Sequence, residues 1–298
     1  MTLDPGTTTG DRIGPAAYGY LQRLMLRRAG IVIEDGKEYL AEARLHGIAL
    51  AEGLGSVAAL LDALQTEEGS DLLHRRVTEA MLNSETSFFR DHYPFEALRG
   101  TILPELIERR SSARSLNFWC AAVSSGQEAY SLAMLLRESF PQLASWDVRI
   151  LASDISESVL ERARGGRYRQ LEINRGLPAS YLVKYFTRQE NDWVIGEGPR
   201  QLVRFSQLNL AGAWPELPPM DVILMRNVLL YFSSDVRRTI YRKVSAVLRP
   251  DGRLFLGGGE TTLALDRGFE ALHLGKSVCY RVRAPHERTT STHGERSR

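Results

Sequence analysis

Between residues 15 and 82 apolar side chains recur every three or four positions. Tyr18, Leu21, Leu24 and Met25 fall on one helical face, and Arg28 continues the spacing. Residues 39–50 and 57–64 repeat the pattern, with Gly53 and Gly55 between them. Residues 71–82 add a further helix striped by Leu72, Leu73, Val77 and Met81. No stretch here has strand periodicity, so residues 15–82 predict a small all-helical domain. The period then changes. Short apolar runs at 115–122, 147–152 and 221–225 read as buried strands, and helical patterns follow at 125–140, 157–164 and 235–248. Residues 253–256 read as a strand entered through a Pro250-Asp251-Gly252 turn, and 278–282 as a last strand. Strands alternating with helices predict an α/β fold, a mostly parallel sheet with helices on both faces. No long helix separates the last two strands, which predicts an antiparallel edge pair.

Residues 166–205 interrupt the alternation. Tyr168, Tyr181, Tyr185, Phe186, Trp193 and Phe205 are interleaved with Gly166, Gly176, Gly196 and Gly198. Short strands at 192–195 and 202–205 suggest an inserted β-subdomain of hairpin character. Residues 1–14 and 284–298 lack apolar periodicity and read as mobile tails.

Composition narrows the classes. The 298 residues are 43% hydrophobic and 25% charged, enough for a sizeable core and too apolar for a disordered chain. Thirty-eight basic against 36 acidic side chains leave a charge of +2, so no global basic field points to nucleic acid or a membrane surface. The two cysteines, Cys120 and Cys279, sit in apolar runs and read as buried thiols of a reducing compartment. The six histidines have no metal-ligand spacing, so no metal is expected. No leader-like start and no apolar run of about 20 residues is visible, and the expectation is a cytoplasmic protein without membrane insertion.

Four segments could carry chemistry. The first runs from Trp119 to Ser131, where a strand gives way to small residues and then a helix. In an open α/β sheet ligands bind at the carboxyl ends of strands. Ser125-Gly126-Gln127-Glu128 equally fits a capping box, and both readings stand. The second is Asp154 at the next strand end, placed to accept hydrogen bonds from a ribose diol. Ser156 is available as the helix cap with Val159 three residues on, which leaves Asp154 for a ligand. The third is the apolar strand that runs into Arg226-Asn227, polar groups that need partners so near a core. The fourth is Asn83-Ser-Glu-Thr-Ser-Phe-Phe-Arg90, where Phe88 and Phe89 read as core anchors and Arg90 does not.

Taken in order, the strings SETSFFRD, PEL, FWCAAVSSGQEAYSLA, ASDIS, LERARGGRY, FSQLNL, MRNVLLYF and LRPDGRLFLG resemble the chemotaxis-receptor glutamate methyltransferases of the CheR type, over residues 15–283. The resemblance implies a helical domain at 15–82 and an S-adenosylmethionine-dependent, Rossmann-like methyltransferase domain at 83–283, with 166–205 as its inserted β-subdomain. It implies cofactor contacts at Ser84, Thr86, Arg90, Glu128, Asp154, Asn209, Leu210, Asn227 and Val228, and catalytic roles for Arg90 and Tyr231. Serine stands at 84 where the family has asparagine, with Asn83 one position early. Gly257-Gly-Gly-Glu260 replaces a more usual Gly-His-Ser-Glu, and the helix at 37–47 is less basic than its family counterpart. The implied reaction is methyl transfer from S-adenosylmethionine to chemoreceptor glutamates, leaving S-adenosylhomocysteine. The partners would be receptor cytoplasmic domains, with the insertion a candidate dock for a receptor tail peptide. The rivals are a small-molecule carboxyl methyltransferase and a non-catalytic signalling adaptor.

Overall fold

The computed structural model describes residues 13–66, 70–262 and 268–283. The described chain forms two compact units. One gathers the residues up to Asn83 together with Tyr231–Ser233; the other holds Ser84–Leu230 and the residues from Ser234 onward. Among the described residues no helix is long and apolar enough to cross a membrane.

The first unit is built on α1 (Pro15–Ala29), α2 (Glu38–Ala51), α3 (Val57–Gln65) and α4 (Asp71–Met81). α1 ends because Gly30 takes a left-handed φ of 71° and returns its N–H to Leu26. α3 and α4 begin on Ser56 and Ser70, whose side-chain oxygens accept from Ala59 and Leu73, each at 3.1 Å. Most of the expected stripe faces inward, with Leu21, Leu24, Met25, Leu45, Leu60, Leu61 and Val77 buried, but Leu72, assigned above to the last helix's stripe, is exposed in the first turn of α4. Ile13, assigned above to a tail, is buried too, and its N–H donates to Glu42 at 3.1 Å. Residues 1–12 and 284–298, the rest of those tails, lie outside the described residues.

The second unit opens with α5 (Tyr93–Ala97), which continues through a π-helical turn at Leu98–Ile102 into α6 (Leu103–Arg109). Then come β1 (Ser115–Ala121), α7 (Gln127–Ser139), β2 (Asp147–Asp154) and α8 (Glu157–Gly165). The insertion supplies β3 (Arg167–Arg169), α9 (Gln170–Ile173), α10 (Ala179–Tyr185), β4 (Phe186–Gln189), β5 (Asp192–Ile195) and α11 (Glu197–Leu202). The main fold resumes with β6 (Val203–Gln207), β7 (Met220–Met225), α12 (Ser234–Val247), β8 (Leu248–Leu256), β9 (Phe269–Leu274) and β10 (Ser277–Val282). Seven strands form one sheet in the order β6-β2-β1-β7-β8-β10-β9. The first five run parallel, and β10 lies antiparallel between β8 and β9. All six residues of β7 are buried, as a central strand covered on both faces requires.

Three expectations need correction. Residues 202–205 do not belong to the insertion: β6 pairs with β2 in the main sheet, and the small sheet is β3-β5-β4. Pro250-Asp251-Gly252 is not a turn ahead of a strand. β8 runs through it with a shift in register, Met220 opposite Leu248 but Val222 opposite Arg253. A Cβ at Gly252 would lie 2.7 Å from Leu248 and 3.1 Å from the Asp221 carbonyl, so the bulge needs glycine. Finally, the antiparallel edge pair exists, but its outer member is β9, which the sequence reading lacks: Glu270 and His273 leave it no continuous apolar run.

Candidate active site

At the carboxyl end of β1 the backbone is forced into unusual shapes. Ala122 (φ 56°), Ser124 (φ 51°) and Gly126 (φ 94°) are all left-handed. Such a conformation costs a non-glycine residue about 1–3 kcal/mol and persists only where the surroundings hold it. Here they do. Val123 N–H donates to the Ser153 carbonyl at 2.9 Å, Ser124 N–H to Asp154 Oδ2 at 2.9 Å, and the Ser124 hydroxyl to the Ser84 carbonyl at 2.6 Å. Tyr168 of the insertion donates its hydroxyl to the Ser125 carbonyl at 2.8 Å. The capping box does not form. α7 starts on Gly126 without a side-chain cap, Ser125 Oγ donates to Gln127, and Glu128 turns to Arg226.

Asp154 ends β2, and the structure refines its reading. Ser156 caps α8, accepting from Val159 at 3.4 Å. Yet Asp154 Oδ1 also takes the Ser156 N–H at 3.0 Å while Oδ2 takes Ser124. The carboxylate therefore shapes both turns. A carboxylate has about four acceptor sites, so this duty is compatible with a ligand. The Asp154 carbonyl accepts from Leu208, which brings Asn209 and Leu210 beside it. Asn209 Oδ1 closes a turn onto Ala211 N–H at 2.9 Å; Leu210 is buried, and its carbonyl takes the Trp214 indole N–H.

Arg226, at the end of β7, is the hub. Its side chain is 2% exposed. Nη1 donates to Glu128 Oε2, and Nη2 to Asp91 Oδ2 and the Arg90 carbonyl, each at 2.8 Å. Burial pushes the Glu128 carboxyl up and the neighbouring Arg226 pulls it down, with Arg90 and Glu260 also within electrostatic reach. Arg90 stands between two left-handed residues, Phe89 (φ 47°) and Asp91 (φ 59°). Five of the seven non-glycine left-handed residues among the described residues thus lie at this edge: Phe89, Asp91, Ala122, Ser124 and Asn227. The Arg90 guanidinium donates to the Glu85 carbonyl at 3.1 Å and makes no ion pair among the described residues.

Asn227 is held by Glu260, whose Oε2 accepts the Asn227 and Gly257 N–H groups at 2.8 and 2.7 Å. Asn227 Oδ1 is buried and has no hydrogen-bond partner among the described residues. Val228 and Thr86 are half-buried, and Ser84 is exposed. Tyr231 belongs to the first unit, where its hydroxyl accepts from Asn83 Nδ2 at 2.6 Å. The structure thus ties Ser84 to Asp154 through Ser124, and Arg90 to Glu128 through Arg226. The sequence reading flagged the segments that hold Arg226 and Ser124 without giving either residue a role, and it noted Glu260 only as part of a departure from the family pattern. Arg226 carried a signal, a charge directly after the apolar run Val222–Met225.

The insertion forms part of this region's wall. Phe88 is fully buried, edge-on to Tyr168 and Phe186 at 5.0 and 5.6 Å, and Phe89 stacks on Tyr181 at 5.2 Å. A Cβ at Gly176 would sit 2.1 Å from the Phe88 carbonyl.

Residues 84–277 match the family model described as the CheR methyltransferase, SAM binding domain, and residues 16–83 match the CheR methyltransferase, all-alpha domain. The chain belongs to the CheR methyltransferase family. It is 37% identical over 269 residues to Chemotaxis protein methyltransferase 1 of Pseudomonas aeruginosa, covering 88% of this chain and 97% of that one. Chemotaxis protein methyltransferase Cher2 of Pseudomonas putida is 33% identical, covering 88% and 96%. Chemotaxis protein methyltransferase 1 of Vibrio cholerae is 34% identical, covering 92% and 100%. The cofactor is therefore S-adenosylmethionine, and the enzyme a methyltransferase dependent on it. The residues fit that group: an acid at the end of β2, an orphaned buried amide oxygen on Asn227, and a first turn of small residues.

Proposed function

We propose that this CheR-family enzyme esterifies glutamate side chains on the cytoplasmic domains of chemoreceptors. The observation that carries the reading is Arg90, a cation at the site edge with no ion pair among the described residues, lifted between two left-handed residues and held there by Arg226. Bound S-adenosylmethionine supplies an electrophilic methyl group. The chain's own task is positioning. A glutamate of pKa about 4.3 is ionised at neutral pH, so no side chain has to remove a proton. Arg90 orients the incoming carboxylate, and orientation alone contributes about 7–11 kcal/mol to such reactions. Asp154 accepts from the ribose hydroxyls, Asn227 Oδ1 takes a donor from the cofactor, and Glu128 presents a carboxylate that Arg226 keeps oriented. Ser84, Thr86, Asn209, Leu210 and Val228 line the cofactor, and Tyr231 helps place the methyl group. The deciding assay is transfer of radiolabelled methyl to a receptor cytoplasmic fragment. Base-labile label on glutamate is expected; label on small carboxylic acids but none on receptor would favour the small-molecule reading.

The insertion has a second proposed task, docking an extended receptor tail peptide on an edge of the small sheet. β4 is one such edge. Gly196 N–H donates to the Tyr185 carbonyl, and the alternation of an antiparallel ladder then aims the Arg188 backbone outward, the Phe186 N–H being taken by the Leu182 carbonyl of α10. Arg188→Pro removes an outward donor and should slow methylation of a tailed receptor without slowing that of a tailless fragment.

A further inference from the structure

The end of β8 carries a latch that the cofactor contacts named above do not include. Glu260 Oε2 accepts N–H groups from Asn227 and Gly257, and Oε1 accepts those of Leu229 at 2.6 Å and Leu230 at 3.3 Å. Four backbone donors thus converge on one carboxylate. Three of them belong to the turn leaving β7, and the fourth to the end of the adjacent strand, where Met225 lies opposite Leu256. A charged acceptor makes such bonds about twice as strong as a neutral one. The same point is tight from the other side. A Cβ on Gly257 would come within 2.7 Å of Asn227 Nδ2, 2.7 Å of Glu260 Oε2 and 2.8 Å of the Asn227 nitrogen. Between acid and glycine, Asn227 is held at φ 59° with Oδ1 buried and unpartnered.

We propose that Glu260 is a positioning residue for cofactor binding, and Gly257 its steric counterpart: together they hold Asn227 in the left-handed conformation that presents its amide. Glu260 does not touch the reacting atoms; it acts through Asn227 and the Leu229–Leu230 turn. The proposal rests on the reading of Asn227 as a cofactor contact. A buried polar atom left without a partner and a strained backbone beside it are what a preorganised ligand contact looks like before it is filled.

The test is calorimetric binding of S-adenosylhomocysteine to the full chain, together with thermal melting. Wild-type protein should bind. Glu260→Gln keeps the size of the side chain but sets an amide NH2 against N–H donors, and should weaken binding at least tenfold. Gly257→Ala should do the same from the opposite side of Asn227, and serves if Glu260→Gln does not fold. Asp251→Asn, at the other end of the sheet, is the control: it should lower the melting temperature and leave the dissociation constant within twofold. Binding by folded Glu260→Gln and Gly257→Ala within twofold of wild type overturns the proposal alone. Equal weakening in Asp251→Asn overturns it too, because the effect would then follow stability. No binding by wild-type protein overturns the reading of the site itself.

Discussion

The two ends of the seven-stranded sheet pair charge alike but hold their backbone differently. At the amino ends, Arg110 donates to both oxygens of Asp251 at 3.0 and 2.7 Å and to Asp221 Oδ1 at 2.8 Å. Asp221 Oδ2 takes the Asn117 N–H at 2.8 Å, joining β1 to β7. Charges there are spent on one another, and Arg114 is the one non-glycine residue near them with a left-handed φ among the described residues. At the carboxyl ends, an arginine again links two acids, but the neighbourhood holds five left-handed residues, an orphaned amide oxygen on Asn227 and an unpaired Arg226 Nε. The same kind of ion pair staples one end and props open the other. Both ends leave arginine Nε groups without a hydrogen-bond partner among the described residues, Arg226 at one and Arg249 and Arg253 at the other, so what sets the carboxyl end apart is its left-handed backbone and the Asn227 amide oxygen.

Variants can break or sharpen that contrast. The largest effect is expected from Arg90→Ala. The methyl-transfer rate should fall on the order of 10²-fold, as for a misplaced reactant, while stability changes by less than about 0.5 kcal/mol. Loss of activity only in proportion to loss of folded protein would make Arg90 structural. Asp154→Ala comes next. Losing a charged acceptor for the ribose should cost about 1.5–3 kcal/mol of cofactor binding, measured by calorimetry. Because Asp154 also holds the Ser124 and Ser156 N–H groups, this variant should melt earlier as well. An unchanged dissociation constant would remove Asp154 from the site.

At the amino ends the order reverses. Asp251→Asn should cost about 1–3 kcal/mol of stability, some 2–10 °C in melting temperature, with cofactor affinity unchanged. The hydrogen bonds from Arg110 hold the Asp251 carboxyl below the usual carboxylate range. Its stabilisation is therefore complete above the unfolded value of about 3.9 and is lost as pH falls below that through the folded value. Wild-type melting should fall more steeply below pH 4 than melting of Asp251→Asn. The smallest effect is expected from Ala122→Gly, which relieves a left-handed alanine. It should raise stability by about 0.5 kcal/mol with binding unchanged; a loss of stability instead would show that Ala122 is not strained.

Much of this was legible without coordinates. Helical periodicity over residues 15–82 and strand–helix alternation after 115 are local patterns, and local patterns survive in a sequence. Asp154 was legible because an acid directly after an apolar strand has a position in the fold before any pairing is known. Pairing itself was not legible. Residues 202–205 read as a short strand, but only the register of Val203–Gln207 with Ile150–Asp154 decides that they belong to the main sheet. Pro250-Asp251-Gly252 reads as a turn in isolation, and only the Asp221 carbonyl and Leu248 packed around Gly252 make it a bulge inside β8.

The site divides the same way. Its residue types and their order along the chain, and with them the family and the cofactor, were present in the sequence. Which of those side chains meet one another was decided in three dimensions. Arg226 meets Glu128 across 98 positions and Asp91 across 135, and Glu260 meets Asn227 across 33. No local period encodes such distances. They arise when parallel strands bring their carboxyl ends to one edge, where each buried charge must find a partner or be kept for one.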